Sequence, residues 1–134
     1  MRLLFFLSLT ITAQAVDWPQ WRGPNKDNKS DTSVKPVTEW SAEKNVLWKT
    51  NIPGRGHSTP IIVGKTVYLT TAELTKESQS LLALDRHTGE IKWQKVIHQG
   101  NLPKKVHREN SRASASAQWT GTCLLYTSPS PRDA

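Results

Sequence analysis

The sequence predicts an all-β fold built around one four-stranded antiparallel sheet with flanking strands. Short runs of β-branched and aromatic residues follow one another through the middle of the chain. Turns that contain glycine separate these runs. Helical periodicity is absent from the sequence after the amino-terminal 15 residues. These observations argue against helical and alternating helix–strand architectures.

The four strands of the sheet are predicted from two successive hairpins. The runs "STPIIV" and "TVYLTTA" flank the turn Gly64–Lys65, and the runs "QSLLALD" and "EIKWQKVI" flank "RHTG". One earlier strand, "NVLWKTNI", is predicted to precede them, separated by the glycine-containing segment "PGRGH". The chain thus contains four strands with tight connections after a single flanking strand.

The connection of the second hairpin lies within "LLALDRHTGEIKW", residues 81–93. We expect Asp85 to accept hydrogen bonds from backbone N–H groups of the turn, and Gly89 to supply a positive φ. A catalytic role for Asp85 is the alternative. An aspartate before a turn is common for structural reasons, so we interpret the segment as a packing unit.

The flanks of this turn alternate in polarity, as expected for strands. Leu82 and Leu84 are predicted to share one face of the first strand, and Ile91 and Trp93 one face of the next. Trp93 also carries more apolar surface than a single hairpin can bury.

The amino-terminal residues 1–15 are predicted to be a secretory signal peptide. They combine Arg2, the apolar run Leu3–Ile11 and the small-x-small sequence Ala13–Ala15. We therefore expect an exported protein, periplasmic or extracellular, with no transmembrane segment after cleavage. An uncleaved anchor is the alternative, but the apolar run is shorter than the ~20 residues that span a bilayer as a helix.

The carboxyl-terminal segment Cys123–Ala134 reads "CLLYTSPSPRDA" and holds the only cysteine of the chain. These residues resemble a transposase-type sequencing adaptor translated in frame. We therefore expect residues 123–134 to be an artefactual tail and exclude them from fold reasoning. A natural strand with a flexible tail is the alternative.

Residues 16–45 are rich in Pro, Asn, Asp and Ser and predict an irregular leader, which we expect Trp18 and Trp21 to dock. The net charge of +7 comes from basic residues that are spread along the chain, apart from the cluster "KKVHREN" with Lys104, Lys105, His107 and Arg108. Nucleic-acid binding would require a basic face with aromatic platforms. We interpret the cluster as a solvated loop and expect no nucleic-acid partner.

Tryptophan-containing strands recur in the sequence. "VLWKTNI" and "IKWQKVI" place Trp48 and Trp93 45 residues apart, within the range of about 40–50 residues typical of four-stranded propeller blades. "HSTPIIVG" has a weaker echo in "RASASAQWTG". Two partial copies leave coincidence as the alternative.

The motif "LLALDRHTGEIKWQ" resembles the repeat of the PQQ-like β-propeller family, A-L-D-x-x-T-G-x-x-x-W. This family includes quinoprotein alcohol dehydrogenases and the outer-membrane assembly factor BamB. The resemblance implies that residues 46–122 form part of a truncated β-propeller, about one blade with flanking strands. It implies a structural repeat motif of Trp48, Asp85, Thr88, Gly89 and Trp93, with the two tryptophans docked between neighbouring blades.

The resemblance leaves two functions open. One is a non-catalytic exported scaffold that binds protein, peptide or glycan ligands through its loops. The other is a PQQ-dependent quinoprotein dehydrogenase, with PQQ and calcium held by the full-length protein. The sequence shows no acid cluster, adjacent cysteine pair or metal-spaced histidine set, and its four histidines are scattered: His57, His87, His98 and His107. We therefore assign no catalytic, cofactor-binding or metal residue and favour the scaffold.

Overall fold

The computed structural model describes residues 16–30, 35–108 and 110–126. Six strands occur in these ranges: β1 Ile61–Val63, β2 Thr66–Glu73, β3 Ser78–Asp85, β4 Ile91–Gln99, β5 Gln118–Trp119 and β6 Leu124–Leu125. The first four form an antiparallel sheet in the order β1-β2-β3-β4, and β5 pairs with β6. No helix occurs in the described ranges, so the predicted all-β fold is confirmed.

Two predictions concern residues that the structure describes in part or not at all. The predicted signal peptide, residues 1–15, lies outside the described ranges, as do residues 127–134 of the predicted artefactual tail. The first residues of that tail do form β6, which pairs with Gln118–Trp119. Local strand propensity is sufficient for such a short pairing, so the origin of the tail stays a prediction. The described ranges hold no helix long and apolar enough to cross a membrane.

Both predicted hairpins are present. In the first, Ile62 lies opposite Val67, and Gly64 in the connecting turn has a φ of +55°. In the second, β3 and β4 pair around the turn that follows Asp85. Between the two hairpins, β2 and β3 pair along their whole lengths, from Thr66 opposite Asp85 onward.

The strand predicted at "NVLWKTNI" does not form. Residues 46–52 run beside the sheet without entering it, and they are held by side chains rather than by backbone pairing. The indole of Trp48 and the hydroxyl of Thr50 both donate hydrogen bonds to carbonyl groups of the β3–β4 turn. Ile52 packs against one face of the sheet. The apolar and β-branched residues of this segment therefore serve packing, which the strand pattern did not distinguish from pairing.

One face of the sheet carries a core of Val67, Leu82 and Leu84. The register explains this cluster, because Leu84 lies opposite Val67, and Leu82 lies two residues away on the same face. Ile52 from the preceding segment covers part of this face. The predicted shared face of Leu82 and Leu84 is confirmed.

The opposite face packs against the chain that follows the sheet. Ile61 and Leu81 form a buried cluster with Ala117, and Trp119 and Leu124 from the β5–β6 pair pack against it. The sheet therefore lies between the segment that precedes it and the segment that follows it, which between them cover parts of both faces.

A β-bulge in β4 separates Ile91 from Trp93. These residues pair with consecutive residues of β3, so Lys92 between them is an extra residue in the strand. Ile91 packs on the face that carries Leu84, whereas Trp93 contacts Tyr68 on the opposite face. The prediction that Ile91 and Trp93 share one face was therefore wrong, because the extra residue shifts the alternation of side chains.

Only one of the two leader tryptophans docks. Trp18 forms two backbone hydrogen bonds with Ile62, with N···O distances of 2.8 and 2.9 Å, and its ring lies against Gly23. Trp21 is 64% exposed, with the guanidinium group of Arg22 5.7 Å from its ring centre. The prediction that Trp21 docks was wrong, because the chain turns back after Trp18 through positive φ angles at Arg22 and Gly23.

Replacing Leu82 with Ala is expected to lower the free energy of unfolding by about 2–5 kcal/mol, since the buried side chain leaves a cavity. Leu47→Ala is the matched control. Leu47 is 88% exposed and its removal is expected to change stability by less than about 0.5 kcal/mol. Urea denaturation followed by circular dichroism measures both. Equal losses for the two variants would contradict the assignment of Leu82 to the core.

Candidate functional site

The turn between β3 and β4 is organised around the carboxylate of Asp85. One carboxylate oxygen accepts hydrogen bonds from the backbone N–H groups of His87 and Thr88, at 2.8 and 3.1 Å. The other oxygen lies 2.9 Å from the ammonium group of Lys92. The expected contacts between Asp85 and the turn backbone are therefore present. The contact with Lys92 was not foreseen, because it depends on the bulge in β4.

These three donors all favour the ionised carboxylate. The hydrogen bond from Lys92, followed by those from His87 and Thr88, lowers the pKa of Asp85 to about 2. An acid with such a pKa is a poor proton donor or acceptor near neutral pH. The geometry therefore supports a structural role for Asp85.

The same turn is held from outside by Trp48. Its indole N–H donates to the carbonyl oxygen of Arg86 at 2.9 Å, and the hydroxyl of Thr50 donates to the carbonyl oxygen of Gly89 at 2.7 Å. The indole ring lies directly against Gly89, where an added Cβ would overlap it. Thr88 closes the turn on the other side, since its hydroxyl oxygen accepts the N–H of Glu90 at 3.2 Å.

Gly89 is required at its position for two independent reasons. Its φ of +74° lies in the left-handed region that disfavours side chains, and the indole ring of Trp48 occupies the space that a Cβ would need. The positive φ was expected from the sequence, whereas the contact with Trp48 was not.

Trp93 stands apart from this arrangement. It is 42% exposed, and its ring centre lies 6.0 Å from that of Tyr68 in a tilted geometry. Of the five residues of the repeat motif, Trp48, Asp85, Thr88 and Gly89 come together at the turn, and Trp93 does not. Docking of both tryptophans between neighbouring blades stays a prediction, since the described residues contain one complete copy of the motif.

A second polar arrangement, which the sequence did not predict, joins residues 57–59 to residues 111–116; we call it the 57–116 seam. The N–H groups of His57 and Ser58 both donate to the carbonyl oxygen of Ala113, at 3.0 and 3.1 Å. The N–H of Thr59 donates to the hydroxyl of Ser116 at 2.8 Å. The weak echo between "HSTPIIVG" and "RASASAQWTG" was the available signal, because the two similar segments are the ones that meet.

An open cleft of about 380 Å³ lies along this seam. Its lining combines an aromatic ring with small polar side chains: Trp21, His57, Thr59, Ser114, Ala115 and Ser116. Aromatic and small polar groups at an open surface are typical of polypeptide recognition. The cleft is therefore a candidate binding surface.

The described residues do not bring together the ligand set of a calcium site. Calcium requires six to eight oxygen ligands, commonly from several carboxylates. In residues 16–30, 35–108 and 110–126, no three His, Cys, Asp or Glu side chains come together in a way that could hold a metal ion. The oxygens of Asp85 are already engaged by its own turn, and Glu73 is paired with Lys76 at 2.7 Å. That ion pair and a hydrogen bond from Gln94 lower the pKa of Glu73.

Gly89→Ala is expected to destabilise the fold more than Gly64→Ala, its matched control. Both glycines have positive φ, but nothing lies within 4 Å of a Cβ added at Gly64. We expect the strained φ to lower the free energy of unfolding by about 1–2 kcal/mol at either position. Overlap of the added Cβ with Trp48 should lower it by about a further 1–3 kcal/mol at Gly89. Urea denaturation gives the difference, and the tryptophan emission spectrum reports displacement of the indole. Equal effects would show that Trp48 does not clamp the turn.

The stability of the fold is expected to depend on the ionisation of Asp85. Because its folded pKa of about 2 lies below the unfolded value of about 3.9, the carboxylate stabilises the fold above about pH 4. This contribution is lost as the pH falls through about 2. Asp85→Asn should lower the midpoint of urea unfolding at pH 7. It should also make that midpoint decrease less between pH 4 and pH 2 than it does in the wild-type chain, and tryptophan fluorescence measures both effects. Asp27→Asn, in the leader, is the control, and a similar effect there would contradict the assignment.

Comparison with known families supports the fold and the repeat. The family model described as "Outer membrane protein assembly factor BamB" matches residues 31–128, which is most of the chain. Searches of curated proteins and of solved structures gave no match. The match covers the whole four-stranded sheet, the Asp85–Gly89 turn and the 57–116 seam. The chain therefore belongs to the family of PQQ-like repeat proteins that carries the description outer membrane protein assembly factor BamB.

Proposed function

We propose that this chain is part of an exported, non-catalytic β-propeller that binds a protein or peptide ligand through its loops. The observation that carries the proposal is the open cleft along the 57–116 seam. Trp21 lines this cleft and is 64% exposed, so its large apolar side chain contributes little to the packing of the sheet and is accessible to a ligand. Such exposed aromatic side chains are enriched at the centres of protein interfaces.

The cleft is also firmly supported. Its polar walls are fixed by hydrogen bonds between His57 and Ala113 and between Thr59 and Ser116. A preformed surface loses little conformational entropy when a ligand binds, which favours affinity. The hydrogen-bonded seam and the exposed Trp21 in its open lining give the cleft the properties of a docking surface rather than of an enclosed reaction chamber.

The family description points in the same direction. Proteins assigned by that description act in the assembly of outer membrane proteins, which places polypeptides among their expected ligands. Export of this chain would be consistent with the same setting. A glycan ligand would use similar aromatic and hydroxyl groups, but the family description favours a polypeptide.

A quinoprotein dehydrogenase is the alternative, and the geometry of the described residues does not favour it. Asp85 and Glu73 direct their carboxylates at their own neighbours, so neither offers free oxygens to a calcium ion. PQQ and calcium would have to be held by other parts of a full-length protein.

Trp21→Ala is expected to weaken binding of a polypeptide ligand by roughly thirtyfold or more, since a tryptophan anchor that becomes buried on binding is often worth about 2 kcal/mol or more. The probe is a urea-unfolded outer membrane β-barrel protein, diluted into buffer with the complete chain and followed by fluorescence anisotropy. Trp40→Ala is the matched control, because Trp40 is 75% exposed and does not line the cleft. Circular dichroism confirms that both variants keep the fold.

Equal losses for Trp21→Ala and Trp40→Ala would contradict a role for the cleft. The alternative function is tested on the same protein by calorimetry with PQQ, with and without calcium. Micromolar binding of PQQ that calcium strengthens would replace the scaffold proposal with the dehydrogenase.

A further inference from the structure

The two edges of the four-stranded sheet differ in how they are covered. At the β1 edge, Trp18 pairs with Ile62, and Arg55 pairs with Ala72 of β2 beyond the end of β1. At the other edge, β4 is the longest strand of the sheet, and no described segment pairs with its outer side. The outer backbone groups of β4 are therefore available to an additional strand.

The regular part of this edge is short. β4 carries one bulge beside Lys92 and a second irregularity near Ile97, where the register shifts between Gln79 and Ser80 of β3. Between them, residues 93–96 pair in unbroken register. This stretch is about 13 Å long at 3.3 Å per residue, which suits a partner segment of about four residues.

The side chains of residues 93–96 define what such a partner must offer. Trp93 and Lys95 lie on one face of the sheet, and Gln94 and Val96 lie on the other. Lys92 is paired with Asp85, but within the described ranges no acidic side chain forms an ion pair with Lys95. Trp93 and Val96 are both substantially exposed. The edge thus presents an unneutralised ammonium group beside Trp93 on one face and the exposed side chain of Val96 on the other.

We propose that residues 93–96 bind an extended segment of another polypeptide by strand addition, with an acidic residue opposite Lys95 and an apolar residue opposite Trp93. Residues directly opposite each other in an antiparallel pair lie on the same face, and opposite charges there are favourable. Main-chain hydrogen bonds would give affinity and the alternating side chains specificity. The inference rests on the proposed binding function and assigns it a second surface, distinct from the cleft.

A second copy of the chain is a less suitable occupant. Two β4 edges would bring Lys92 and Lys95 of each copy to the same junction, and the chain as a whole carries a net charge of +7. Lysines on an edge strand are a common device against such self-pairing. An acidic strand removes the repulsion that a second copy would introduce.

Two fluorescein-labelled peptides of seven residues test the proposal with the complete chain. Each is a run of threonine that holds one valine two residues after one charged residue, so that both can lie on one face opposite Trp93 and Lys95. The charged residue is glutamate in one peptide and lysine in the other. The wild-type chain is expected to bind the glutamate peptide roughly two- to fivefold more tightly than the lysine peptide. Lys95→Glu should reverse this preference. Lys65→Glu is the matched control, because it makes the same charge change in the β1–β2 turn and should keep the wild-type preference.

A modified peptide keeps the test independent of whether the Lys95→Glu variant folds. N-methylation of alternate residues of the glutamate peptide blocks the hydrogen-bond donors along one edge and should weaken binding to the wild-type chain by about tenfold or more. Hydrogen exchange should show protection of residues 93–96 only with the unmethylated peptide. Trp21→Ala should leave this binding unchanged, which separates the edge from the cleft.

Three results would overturn the inference. One is equal binding of both peptides with no protection at residues 93–96. Another is an equal change of preference in Lys65→Glu, which would reveal only a net-charge effect. The third is a dimer, detected by sedimentation, in which residues 93–96 are protected without peptide, because a second copy would then be the occupant.

Discussion

The ionised carboxylate of Asp85 closes the turn that joins β3 to β4, and much of the remaining structure is arranged around that turn. Two backbone N–H groups and the ammonium group of Lys92 converge on it. Closing the turn brings the carbonyl groups of Arg86 and Gly89 to the positions where Trp48 and Thr50 bind them. The segment before the sheet is therefore fixed by the far end of the third strand rather than by its own neighbours in sequence.

The turn is linked to the bulge in β4 through Lys92. Lys92 reaches Asp85 because it is the extra residue, and the same extra residue places Ile91 and Trp93 on opposite faces. Ile91 then completes the apolar cluster around Leu84, while Trp93 is left at the edge beside Tyr68. The bulge that lets Lys92 reach Asp85 thus also leaves the ring of Trp93 at the exposed edge of the sheet.

The middle of the sheet is held by side-chain hydrogen bonds as well as by apolar packing. Thr70, Thr71, Ser78, Gln79 and Ser80 are all buried. Among the described residues that are buried or half-buried, every buried side-chain nitrogen or oxygen atom has a hydrogen-bond partner. Thr70 donates to the carbonyl oxygen of Ala115, and Thr71 to that of Pro53, so the segments on either side of the sheet satisfy its polar centre. Fully satisfied networks of this kind specify one arrangement of the chain, since any displacement leaves a buried group unpaired.

Structural features that depend on residues close together in the sequence could be predicted from it, whereas features that depend on residues far apart in the sequence could not. The two hairpins, the positive φ of Gly89 and the contacts of Asp85 with its own turn follow from spacing and residue type. Residues 46–52 were misassigned because strand propensity and side-chain docking both use Trp, Ile and Thr. The 57–116 seam and the pairing of Lys92 with Asp85 arise only once the sheet exists, and the bulge cannot be read from an alternating pattern.

The 57–116 seam has a consequence for the order in which the chain folds. Its contacts join residues 54 and 57 positions apart, whereas each hairpin joins residues separated by a short turn. Closing a long loop costs more chain entropy than closing a short one and delays the contacts that depend on it. We therefore expect the hairpins to form first and the seam to close afterwards on a sheet that already presents Thr70. We therefore expect the surface that we propose as the docking cleft to acquire its shape only after the hairpins have formed.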